Sequence, residues 1–128
     1  MSAMSDYLEN EILDHILGTG AYTMPSTVYI GLSTGSFGDD NSGTELSGNG
    51  YARQLVAFDA AVSGTADNTG AIEFSAATAS WGTVSHFGLF DASTGGNLLI
   101  HGVFAVSKLI DSGDILKIAA GKLDITAA

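Results

Sequence analysis

The stretch from Trp81 to Phe104, WGTVSHFGLFDASTGGNLLIHGVF, constrains the fold more than any other part of the chain. Two long runs of strand-forming residues, 84–90 and 98–106, flank the segment 91–97, which is rich in residues that favour turns and positive φ. This is the pattern of a β-hairpin. It sets the fold class of the chain.

The rest of the sequence supplies candidates. Residues 27–33 alternate Val28, Ile30 and Leu32 against Thr27, Tyr29 and Gly31, and the dipeptide Met24-Pro25 ahead of them restricts the backbone. Residues 51–58 and 71–75 read as a second and third strand, separated by the polar segment 63–70. Residues 115–119 and 122–126 close the chain, with turns at 111–114 and 120–121. Residues 34–50 hold glycines, serines and Asp39-Asp40-Asn41 without an apolar pattern, which predicts a long loop of the functional or mobile kind. The expected fold is mainly β, an antiparallel β-sandwich of immunoglobulin-like type, with one N-terminal α-helix.

That helix is predicted over residues 5–17. Met4, Leu8, Ile12 and Ile16 recur every four residues, with Leu13 and Leu17 alongside. Ser2 or Ser5 can cap the start, early acids complement the helix dipole, and Gly18 and Gly20 end it. The apolar stripe either packs on its own domain or docks on another subunit. The expected organisation is an N-terminal helical segment, 1–20, followed by one sandwich domain, 21–128.

Composition narrows the function. Fourteen acids stand against four bases in 128 residues, a formal charge of −10. A surface of that sign repels phosphate backbones, so no nucleic-acid partner is expected. No apolar run approaches the ~20 residues of a membrane helix, and the acidic start lacks the basic region of a signal peptide. No membrane partner is expected, and the chain is expected to act in the compartment where it is made. Without cysteines, thiol catalysis and thiolate metal sites are excluded. The charged fraction of 14% fits a protein with much of its surface against neighbours.

Few residues carry chemistry. His15 stands near the helix C-terminus, where a cap is the ordinary role. His86 and His101 lie on the two hairpin strands. With Phe90 opposite Leu98 they project from opposite faces, and a slip of one residue puts both on one face, one diagonal step apart. A zinc site would require that slip and a further ligand such as Glu73. Asp39, Asn41, Gly43 and Glu45 resemble a calcium loop loosely, but no bidentate Glu stands at the twelfth position. Neither a phosphate loop with Lys nor a Gly-x-Ser-x-Gly elbow is present, and no cofactor is expected. Arg53 is the only arginine, suited either to an internal ion pair or to a cross-subunit anchor. Trp81 is expected in the core. The candidate interface residues are Tyr7, Leu8 and Ile12 on the helix, and Arg53.

Several segments together resemble a family of small structural proteins of tailed bacteriophages and prophages, of the tail-fibre-like kind. They are MSDYLENEILDHILGTGAYTMPSTVYIGLST at the start, GTELSGNGYARQLVAF in the middle, ATASWGTVSHFGLFDASTGGNLLIHG in the hairpin, and residues 112–118. WGTVSHFGLFDA together with GYARQ is the most specific part. The acidic segment 37–41 is less Gly-rich than the family pattern.

The resemblance implies a non-enzymatic virion component, made in the host cytoplasm, with a β-sandwich fold. The leading expectation is a capsid decoration or cement protein on the outer face of the coat lattice. Its partners would be the major capsid protein or other virion proteins, and it would act as a homo-oligomer. A tail, fibre or baseplate component is the first alternative. A carbohydrate-binding sandwich using Tyr22, Tyr29, Tyr51 and Trp81 is another. A hydrolase of the host envelope is a third, without an identifiable nucleophile or acid pair.

Overall fold

The computed structural model describes residues 2–127. In chain order the elements are β1 (Ser2–Met4), α1 (Asp6–Ile16), β2 (Val28–Ser33), β3 (Gln54–Val56), β4 (Thr65–Asp67), β5 (Ile72–Glu73), β6 (Gly82–Phe90), β7 (Leu98–Ile110), β8 (Lys117–Ile118) and β9 (Asp124–Thr126). Among the described residues the fold is mainly β, all the sheets are antiparallel, and the one helix is short and N-terminal, as the pattern predicts. The main sheet runs β1-β7-β6-β2-β3, with the predicted hairpin β6–β7 at its centre. β4 pairs with β9 and β5 with β8 in two small sheets. This arrangement is compatible with a sandwich.

Strand alternation decides what each face of the main sheet does. Ile30 and Leu32 of β2 stand beside Leu89 and Phe87 of β6, and all four are buried. They join Ile72, Phe74, Trp81, Leu116 and Leu123 from the segments around the small sheets in the principal core. The opposite face carries Gly31 beside Gly88, and Tyr29 beside Phe90. The loop 34–50 lies over this face and drops Phe37 onto Phe90, with ring centroids 5.6 Å apart, to make a second small core with Leu98.

The facing glycines are what let the loop come so close. A Cβ on Gly88 would stand 2.9 Å from Leu98 Cδ1 and 3.0 Å from Phe90 Cε1, and one on Gly31 would stand 2.7 Å from Glu45 Oε2.

Two elements have no signature in the sequence. β1 is three residues long and exists because Ser2–Met4 pairs with Gly102, His101 and Ile100 of β7. β4 lies inside the polar segment 63–70, where Thr65, Ala66 and Asp67 pair with Thr126, Ile125 and Asp124. Both strands are defined by long-range partners rather than by local preference.

The helix start is fixed by Ser5. Its hydroxyl accepts from the Leu8 N–H at 3.2 Å and donates to the Leu98 carbonyl, while its own N–H donates to Leu99 O at 2.8 Å. One residue thus caps α1 and fastens it to the start of β7.

Candidate interaction surfaces

The helix buries less of its apolar stripe than the sequence offers. Leu8 is buried and Ile12 half-buried, but Leu13, Ile16 and Leu17 are exposed, the last two at 71%. Beyond the helix the chain turns back, with the N–H groups of Thr19 and Gly20 both donating to Asp14 O. His15 holds this return: its Nδ1 accepts from the Tyr22 N–H at 3.1 Å. Met24 then emerges 80% exposed. Beside Leu8, an apolar groove of about 320 Å³ is lined by Tyr22, Phe58, Leu99 and Ile125 among others. The end of α1 and the segment after it therefore present large apolar side chains that their own chain does not cover.

Arg53 stands in a separate cluster. Its guanidinium grips Glu45 with two bonds, Nε to Oε2 at 2.9 Å and Nη2 to Oε1 at 2.7 Å. Nη1 donates to the carbonyls of Ala92 at 2.9 Å and Gly95 at 2.8 Å, in the turn between β6 and β7. The guanidinium also lies over the Phe90 ring, 3.5 Å from its centroid. Its side chain is 8% exposed. Tyr51 completes the cluster: its hydroxyl donates to Glu45 Oε2 and accepts from the Leu32 N–H at 2.9 Å. Burial, and then the Glu45 carboxylate, push the Tyr51 hydroxyl far above its ordinary pKa, so it stays a donor at any physiological pH. The cluster ties loop, turn and sheet together.

Of the four candidate interface residues, Tyr7, Leu8 and Ile12 share α1, with Tyr7 and Ile12 half-buried. Arg53 belongs to the Glu45 cluster and has four of its five N–H donors engaged within the chain. The exposed group Ile16, Leu17 and Met24 was not among the candidates. Its signal was present in the stripe, which runs on past the point where a short helix can reach its own sheet.

The hairpin register corrects the simple pairing. Phe90 does face Leu98, but Leu99 is an extra residue, so Leu89 pairs with Ile100 and Gly88 with His101. This bulge is the slip of one that brings His86 and His101 to the same face, opposite Val103 and Gly88 respectively. They do not converge. His101 Nε2 meets Asp39 Oδ1 at 2.7 Å, and His86 Nδ1 meets the Ser85 hydroxyl at 2.7 Å. The loosely calcium-like residues part in the same way, Asp39 going to His101 and Glu45 to Arg53.

The aromatic residues considered as stacking platforms divide. Trp81 is buried, donates from Nε1 to Asn49 O at 2.9 Å, and packs edge-on against Tyr51 and Phe74. Tyr22 and Tyr29 are half-buried.

One like-charge pair stands out. Asp67 faces Asp124 directly across β4–β9, and its Oδ1 is buried without a donor. Contact with the Asp124 carboxylate, then burial, raise the Asp67 pKa.

The family model of Podophage GP4 fiber I protein gp80 matches residues 3–126. The chain belongs to that family. The gp80 match takes in β1 from Ala3 on, α1, the loop 34–50, the hairpin and the C-terminal strands, so every surface described above lies within it. Membership in the gp80 family makes the protein a fibre-like structural component of a tailed-phage virion. No curated protein matches the chain.

Proposed function

We propose that this protein is a non-catalytic building block of a podophage fibre, and that it works by binding neighbouring virion proteins. The observation that carries this reading is the uncovered apolar group at the end of α1, Ile16, Leu17 and Met24, on a chain of the fibre family. A contact centred on large apolar side chains and rimmed by the acids of α1 has the composition of a protein–protein interface. The groove beside Leu8, which reaches Ile125 of β9, offers a further apolar surface. Arg53, by contrast, serves the fold of its own chain, since its donors are engaged and its charge is paired. The acidic surface supports a position away from nucleic acid.

Gold-labelled antibody against the protein, applied to intact particles, tests the location. Label on the fibres, in a copy number that follows them, is expected. Label spread over the shell in a number that follows the coat protein would replace the fibre with capsid decoration. Absence from purified particles would end the reading altogether.

A further inference from the structure

β7 is 13 residues long, and its neighbour β1 covers only its first part, ending at Gly102. Among the described residues, no strand pairs with the stretch from Phe104 to Ile110 on the side away from β6. On the β6 side the ladder is broken as well. His86 faces Val103 and Val84 faces Lys108, so the four residues 104–107 stand against Ser85 alone. That leaves more backbone donors and acceptors than β6 can pair. The side chains are equally uncovered: Val103 is 44% exposed, Leu109 56% and Val106 83%. Although a lysine and the bulge interrupt it, an open strand edge that exposes apolar side chains is a template for another strand.

We propose that β7 is an assembly edge to which a second copy of this chain adds its own β7, antiparallel, about a two-fold axis at Val106. The register is self-complementary. Val103 falls opposite Leu109, Ala105 opposite Ser107, and Phe104 opposite Lys108, so exposed apolar residues meet each other and the one charge meets a ring. Electrostatics select the same edge. In a chain of net charge −10, the stretch from Gly102 to Ile110 holds no carboxylate and carries Lys108, with Lys117 close to it around the hollow beside Val106. Two acidic molecules approach each other there with the least repulsion. The contact is isologous and closes on itself as a dimer.

This inference rests on the assembly reading but is tested apart from it, on the purified full chain by sedimentation equilibrium. The wild type is expected to dimerise at micromolar concentration. Val106→Lys, which sets two ammonium groups against each other on the axis, should weaken that dimer at least ten-fold, whereas Leu17→Glu should leave it unchanged. Because the chain has no cysteine, Val106→Cys offers a second measurement. Mild oxidation should link it symmetrically, whereas Ser107→Cys alone, whose mate is Ala105, should link poorly. A wild type that stays monomeric, or a dimer dissolved by Leu17→Glu but not by Val106→Lys, would overturn self-pairing at β7. Either result would leave the fibre location standing, since particle labelling alone decides that.

Discussion

Arg53 illustrates how a side chain's type alone leaves two roles open. A lone arginine in an acidic chain suits an interface as well as a fold, and only its contacts choose between them. Here it pairs bidentately with Glu45, satisfies two turn carbonyls and stacks on Phe90. Replacing it with Ala would strand a half-buried Glu45 and free the turn, which we predict costs about 3 kcal/mol in urea unfolding of the isolated chain. Arg53→Lys should recover little, because an ammonium cannot fork across a carboxylate. An unchanged midpoint for Arg53→Ala would show that the cluster is not structural. Asp67 offers a second test, in which pH does the work. Its pKa is raised in the fold, so the folded chain binds more protons than the unfolded chain between the ordinary carboxylate pKa and the raised one. Stability should therefore fall as pH rises through that window. Asp67→Asn should flatten this dependence and stabilise the protein at neutral pH, as thermal melts at a series of pH values will show.

The elements divide by how local their causes are. β2, β6, β7 and α1 were legible because period and capping residues declare themselves: Ile30 and Leu32 alternate into the core, and Ser5 stands where a cap is needed. β1 and β4 were not, since three residues carry no period and their partners lie far along the chain. The bulge at Leu99 was equally hidden, although the two possible registers could be written down in advance. It reverses the relation of His86 and His101, and it exists where α1 is fastened to the start of β7. The loop 34–50 hid Phe37, a single buried ring in a polar stretch, whose place is made by glycines on strands distant in sequence. For the helix, Ser5→Ala removes both the cap and the bond to Leu98, and should cost about 1–2 kcal/mol in the unfolding free energy. Ile16→Glu and Leu17→Glu touch only exposed positions and should change it by less than about 0.5 kcal/mol. The same two changes should abolish incorporation into particles, which complementation of a deletion phage would reveal.

Across the molecule, the physical logic is that of a small β protein whose own packing leaves apolar surface open. The two cores use nearly all the strands the sequence offers. Among the large apolar side chains left exposed, two groups stand out, the end of α1 and the free edge of β7, while Leu55, Val62 and Ile115 are exposed elsewhere. Among the described residues no three acidic or histidine side chains are grouped as metal ligands would be. Family membership supplies the setting, a phage fibre, which no packing argument could have named. The most direct measurement is a density map of the intact particle into which this fold can be placed. The fold should lie within the fibre, with Ile16, Leu17 and Met24 against a neighbouring chain. Density for the fold elsewhere in the particle, or within the fibre with those three side chains facing solvent, would contradict it.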